Sequence, residues 1–237
     1  MMRNSKGFTL IEIAIVLVII GLLLGGVLKG QELITGARVR NLISQQDGIK
    51  AAFFGFQDRY RALPGDYASA SSNINCNPPV CVNGNGNGRI EQTAPDREDI
   101  IAWSHLTAAG FLNGSYTATS GSTTDPSDTS APKNPYSIYL QIVYDGVYGT
   151  GTPGTPGPAK HNLKTGGQIP VEIIAEVDRK IDDGKPYSGA FQFSVYVPTP
   201  IANYTAPLAT GAGTCISASS TWDITSGSTN CGAASLF

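Results

Sequence analysis

The stretch NSKGFTLIEIAIVLVIIGLLLGG, Asn4 to Gly26, holds a single charge after Lys6, the carboxylate of Glu12. Phe8 to Leu28 is a run of 21 residues with only that charge, enough for the ~20 residues a helix needs to cross a bilayer. A carboxylate at the centre of a membrane helix costs about 2.5–3.5 kcal/mol on insertion scales, so it is retained where it has a partner. Which group partners Glu12 is therefore the first question. Arg3 and Lys6 precede the run, which predicts a cytoplasmic N-terminus and an exported remainder. A secretory signal peptide would be cut after the run, yet VLKGQEL, Val27 to Leu33, has weak A-x-A character, and cleavage before the run fits better.

At 237 residues the chain is long enough for a membrane element and one sizeable soluble domain. Charged residues make up 14%, against a typical ~25%. Gly, Ser, Thr, Asn and Pro are abundant, as in exported, loop-rich proteins with β-structure. The net charge of −2 argues against a nucleic-acid binder held by a basic face. Loss of residues 1–7 would remove Arg3 and Lys6, leaving 14 basic against 18 acidic side chains. Four cysteines behind an export-like N-terminus favour disulfides in an oxidising compartment. Metal ligation competes, but CNPPVC has no second ligand pair nearby and neither histidine is close. Of the three possible pairings, short loops favour the sequential one, Cys76 with Cys81 and Cys215 with Cys231.

KGFTLIEIAIVLVIIG, Lys6 to Gly21, closely resembles the class III signal of type IV prepilins and type II secretion pseudopilins: a short basic leader, Gly7, Phe8, then Glu12 in a GFTLIE frame. The resemblance implies that a membrane prepilin peptidase with a cytosol-facing active site cuts after Gly7 and methylates the new N-terminal Phe8. It implies that the apolar helix becomes a filament core, and that Glu12 pairs with the Phe8 amine of an adjacent subunit. Such pairing would fix axial register, because an unpaired buried charge costs several kcal/mol. The alternative is that Glu12 only caps the Phe8 amine of its own chain, one helical turn away. The chain departs from many major type IV pilins, which carry a proline about twenty residues into the mature helix; Lys29 occupies that neighbourhood here.

Helical periodicity continues past the membrane run. Leu33, Ile34, Leu42, Ile43, Ile49, Phe53, Phe56 and Tyr60 recur mostly at steps of three, four or seven. ALPGDY, Ala62 to Tyr67, then stops the pattern. One helix of ~80 Å is expected from Phe8 to about Arg61, with Gly25, Gly26, Gly30 and Gly36 as a stretch able to bend. The expected division is 1–7 as leader, 8–31 as membrane or filament-core helix, 32–63 as its continuation and 64–237 as the head.

Within the head, PDREDIIAWSHLTAAGFLNG, Pro95 to Gly114, predicts a second helix with Asp96 at its start, Ile100, Trp103 and Leu106 on one face, and a surface or boundary His105. Asn113 to Asn134 and Thr150 to Gly167 are expected as loops. YSIYLQIVYD, Tyr136 to Asp145, and SGAFQFSVYVP, Ser188 to Pro198, read as strands. Between them Ile169, Ile173, Val177 and Ile181 step by four, Pro170 suits a first helical position and Gly184 a stop, so a third helix is expected. Cys215 to Cys231 encloses a C-terminal loop resembling the disulfide-bounded loop of many pilins. The expected fold is α+β: a long N-terminal helix packed on a small antiparallel-sheet head with short helices and disulfide-bounded loops.

NGNGNGRIE, Asn83 to Glu91, superficially matches a calcium loop. Asn83, Asn85 and Asn87 fall at positions 1, 3 and 5, Gly88 at the sharp turn, Arg89 offers a carbonyl and Glu91 stands at position 9. Ala94 replaces the bidentate acid at position 12, leaving Glu91, Asp96, Glu98 or Asp99 to supply charge. Some pseudopilins bind calcium in a head loop, so calcium is the one candidate cofactor. The competing explanation is a Gly/Asn turn using left-handed conformations.

No nucleophile motif, HExxH or phosphate loop occurs, and His105 and His161 alone do not make a hydrolase triad. The expected function is structural and not enzymatic: a prepilin anchored in the bacterial inner membrane with its head in the periplasm, then built into a pilus or pseudopilus. Its partners would be the peptidase, other pilin or pseudopilin subunits and an inner-membrane assembly platform. The alternative is an adhesin or substrate-binding protein mounted on a pilin stalk.

Overall fold

A computed structural model describes residues 9–76, 81–92, 97–119, 125–150, 152–196, 198, 206–207, 209 and 213–237. The apolar run and the periodic stretch after it form one helix, α1 (Leu10–Tyr60, 51 residues). The chain divides into two compact units, the first ending at Arg38 and the second running from Val39 to Phe237. In the first unit every residue from Leu10 to Arg38 is exposed apart from the half-buried Gly30 and Gly36.

In the second unit α1 buries Val39, Leu42, Gln46, Ile49, Ala52, Phe53 and Phe56, a face at steps of three and four. Leu33 and Ile34, expected to head that stripe, are 64% and 55% exposed. They lie in the first unit and share its apolar composition, so periodicity alone could not separate them. The helix ends where Arg61 takes φ +53° and Gly65 takes φ +93°. A side chain at Gly65 would collide with the Glu98 carbonyl, so the turn at LPGDY requires glycine for both its conformation and its close approach.

After the short α2 (Ala70–Asn73), α3 (Glu98–Ala108) is the expected second helix. Asp96 lies outside the described residues, and Arg97 is the N-cap. Glu98 and Asp99 occupy the first turn, where the helix dipole favours carboxylates. Ile100, Trp103 and Leu106 are buried as expected. His105 is not a surface histidine; it is fully buried, because its neutral ring is stacked on Phe56 and both nitrogens find backbone partners.

The head sheet is antiparallel, in the order β1–β4–β6–β5. β1 (Gln141–Asp145) is the core of the expected Tyr136–Asp145 strand, and β2 (Gly149–Thr150) pairs with β3 (Thr152–Pro156) as a hairpin. β4 (Lys160–Lys164) overturns the expected loop from Thr150 to Gly167: it is a central strand paired with both β1 and β6. Its sequence, KHNLK, lacks the apolar alternation of a half-buried strand because Asn162 and Lys164 are buried with polar partners.

The expected third helix is α4 (Val171–Ile181), with Pro170 as its N-cap and Gly184 at φ +74° beyond its end. β5 (Phe191–Phe193) is shorter than Ser188 to Pro198 and buried at all three positions. β6 (Ala233–Leu236) was not expected as a strand, since AASL has little β-propensity, yet it fills the sheet between β4 and β5. The Cys215–Cys231 disulfide, with Cα atoms 5.6 Å apart, leads into it, and Cys76–Cys81 closes at 5.2 Å, so the sequential pairing is the one formed.

Two cores result. Val39 and Leu42 pack with α4, β5, Trp222 and the Cys215–Cys231 disulfide. Ile49, Phe53 and Phe56 pack with Trp103 and Leu106 of α3, Ile142 of β1 and Leu163 of β4. Truncating the fully buried Phe56 to alanine would cost about 3–5 kcal/mol.

Candidate functional site: the helix start and the head loop

Glu12 finds a partner within its own chain. Its Oε2 accepts from the amide and from the hydroxyl of Thr9, each at 2.7 Å, while the Glu12 amide donates to Thr9 Oγ1 at 3.4 Å. This is the reciprocal T-x-x-E capping box, which satisfies two of the amides a helix start leaves open. The pattern stands in the sequence as Thr9 to Glu12, a signal by which Thr9 could have been found. Gly7 and Phe8, the expected cleavage pair, lie outside the described residues.

Beyond the cap, α1 is the one helix among the described residues long and apolar enough to cross a membrane. Leu10, Leu22 and Leu28 are among its exposed side chains. Side chains placed at Gly21, Gly25, Gly26, Gly30 or Gly36 would meet nothing within 4 Å. Each glycine costs about 1 kcal/mol relative to alanine in a helix, and packing within the chain does not require one at these positions.

In the head, the NGNGNG loop is closed by carboxylates from elsewhere. Asp66 accepts from the Asn87 amide at 2.9 Å and the Gly88 amide at 2.8 Å. Glu98 accepts from the Asn85 amide at 2.9 Å and the Glu91 amide at 3.1 Å. Asn83 Oδ1 accepts from the Ser71 amide, Asn85 Oδ1 from the Asn87 amide, and Asn87 Oδ1 from the Arg89 amide. Glu91 Oε2 accepts from the Asn87 side-chain amide at 2.9 Å. All three asparagine oxygens that the calcium pattern needs are thus engaged by backbone amides, those of Asn85 and Asn87 in the geometry of Asx turns and that of Asn83 by the distant Ser71. Gly86 and Gly88 take φ +73° and +81°. Glu98, one of the acids expected to supply charge to the loop, accepts its amides, whereas Asp66 was not singled out, because nothing local to NGNGNGRIE points to LPGDY.

Residues 2–28 match the family model of the prokaryotic N-terminal methylation motif. The chain opens with the class III signal of type IV prepilins and pseudopilins. No curated protein and no solved structure matches the chain. The prepilin-type segment supports a type IV pilin-like or pseudopilin protein, and with the apolar α1 it fits anchoring in the inner membrane.

Behind this segment the head carries several buried ionisable groups. His105 Nδ1 accepts from the Gly65 amide at 3.0 Å and its Nε2–H donates to the Val82 carbonyl at 2.7 Å. Burial pushes its pKa down to about 4, against the opposing pull of that carbonyl. Burial pushes Glu98 up to about 7; the Asn85 and Glu91 amides oppose this, and the charges of Asp66 and Glu91 add to it. Asp178, Asp182 and Asp183 gather at the end of α4 with carboxylate oxygens within 4.8 Å of one another. Burial lifts Asp178 to about 7, although the Trp222 indole donates to it at 2.6 Å. These are groups that position structure: His105 and Asp178 each join a helix to a distant segment.

Proposed function

We propose that the chain is a structural filament subunit, made as an inner-membrane prepilin, cut between Gly7 and Phe8, methylated on Phe8, and assembled into a type IV pilus or a type II secretion pseudopilus. The observation that carries this is the coincidence of the methylation motif at residues 2–28 with a helix whose apolar side chains are exposed from Leu10 to Leu28. Before assembly the bilayer covers that surface; afterwards neighbouring α1 helices do. The glycines that serve no packing within the chain suit close helix approach, since small residues let backbones pack tightly in an apolar medium.

In this reading the partners are the prepilin peptidase, other pilin or pseudopilin subunits and an assembly platform, with the N-terminus cytoplasmic and the head periplasmic. The head contributes the filament surface, and its role is structural and not enzymatic. Immunogold labelling of the head on isolated filaments tests the proposal. Continuous labelling is expected. Label at the tips alone would point to the stalk-mounted binding protein, and no label on any filament would contradict assembly.

A further inference from the structure

We propose that Lys164 and Asp145 form an intramolecular isopeptide bond, a covalent staple between β4 and β1 in addition to the two disulfides. Lys164 is a lysine only 1% exposed in the centre of the sheet. Its Nζ contacts Asp145 Oδ2 and lies 5.5 Å from the centre of the Tyr196 ring. Asp145 stands opposite Lys160 in the β1–β4 ladder, so Lys160, Asn162 and Lys164 alternate onto the same face as Asp145. The lysine reaches diagonally along that face.

What distinguishes this pair from an ordinary buried ion pair is the other oxygen. Asp145 Oδ1 accepts from the Val147 amide at 3.1 Å and from the Asn162 side-chain amide at 3.0 Å. Two fixed N–H donors on one carboxyl oxygen, with an amine against the other, is the arrangement that stabilises a tetrahedral intermediate of acyl transfer. Burial lowers the Lys164 pKa, opposed by the charges of Asp145 and Asp99. Asp99 is itself held by Arg97 and Gln141.

The step balances without cofactor or oxidant. Burial disfavours the charged Lys164 amine, and a proton passes from Nζ to Oδ2 as the pair reacts. The Nζ lone pair attacks Cγ, and the carbonyl π pair moves onto Oδ1, where the Val147 and Asn162 N–H groups hold the developing charge. A second Nζ proton passes to Oδ2, the Cγ–Oδ2 bond breaks and water departs. An Nζ–Cγ amide remains. The Asp145 side chain is 21% exposed, which gives the water a way out, and the fold supplies the proximity that makes such condensations effectively unimolecular.

Peptide mapping by mass spectrometry of the purified full-length chain, denatured, reduced, alkylated and cut with trypsin, tests the bond. It does not depend on whether the protein assembles. The expected product is a branched peptide joining the Asp145 and Lys164 segments, lighter by one water, with no cleavage after Lys164. Lys164→Arg should give linear peptides while both disulfides persist in the non-reduced map. Asn162→Ala should slow cross-linking on refolding by about 10²-fold, the typical loss for one such donor. Wild-type peptides ending at Lys164 with Asp145 unmodified would overturn the proposal. So would a loss of water confined to a linear Asp145–Gly146 peptide, which is a succinimide.

Discussion

The Glu12 carboxylate lies 2.7 Å from both the amide and the hydroxyl of Thr9. The lone acid of the apolar run therefore has a partner before any second subunit arrives, and two roles for it become separable. If capping α1 were its whole purpose, Thr9→Ala and Glu12→Leu would impair the protein alike. If Glu12 pairs with a neighbour's Phe8 amine, Thr9→Ala should be incorporated into filaments at near wild-type levels. Glu12→Leu should insert in the membrane, being more apolar, but be incorporated at least tenfold less. Quantitative immunoblots of sheared filaments against membranes read the difference, and equal incorporation of Glu12→Leu and wild type would refute the pairing.

Asp66 holds the NGNGNG loop through the amides of Asn87 and Gly88 and is 5% exposed. Asp66→Ala leaves the Gly88 amide without its acceptor and the Asn87 amide with Asn85 Oδ1 alone, at a cost of about 1–3 kcal/mol. For a chain of this size that corresponds to a fall of several degrees in Tm. Thermal unfolding of the full chain in detergent checks this, and limited proteolysis should show new cuts between Asn83 and Glu91.

Calcium should not raise that melting temperature through this loop, because the Asn83, Asn85 and Asn87 oxygens already accept backbone amides. No shift up to ~10 mM calcium is expected, well above the range in which extracellular calcium modules bind. A rise that Glu91→Ala abolishes would instead establish the site at Asn83, Asn85, Asn87, Arg89 and Glu91.

His105 makes the head sensitive to acid. Its folded pKa of about 4 lies below the ordinary 6.5, so between those values the unfolded chain takes up the proton first. The stability it contributes is complete above pH 6.5 and is lost as pH falls towards 4, by about 3 kcal/mol in all. Glu98 acts with the opposite sign: its folded pKa of about 7 exceeds 4.5, so its contribution is present at low pH and lost as pH rises through 7. The histidine is isolated by comparing wild type with His105→Gln, whose stability difference in urea should shrink steadily from pH 7 to pH 4. A pH-independent difference would show that His105 is not held neutral.

What the sequence revealed followed from strong periodicity. The four-residue steps from Ile173 to Ile181 announced α4, and the spacing of Leu42, Ile49, Phe53 and Phe56 announced the packed half of α1. The two strands that complete the sheet were hidden for opposite reasons. β4 buries Asn162 and Lys164, so its pattern looks like solvent-exposed loop, whereas β6 is made of small residues whose strand geometry is imposed by neighbours on both sides. His105 looked superficial because neither Gly65 nor Val82, which satisfy its ring, is near it in sequence. Pairings were legible where they are local, as in the two cysteine pairs and the Thr9–Glu12 cap. The loop latch of Asp66 and Glu98 depends on long-range contacts.

The mature N-terminus tests the central claim most directly. Intact mass and N-terminal sequencing of the protein from cells with a working prepilin peptidase should give a chain beginning at Phe8 and carrying one added methyl group. A chain that keeps residues 1–7 in such cells, or one that begins after Leu28, would contradict the prepilin assignment.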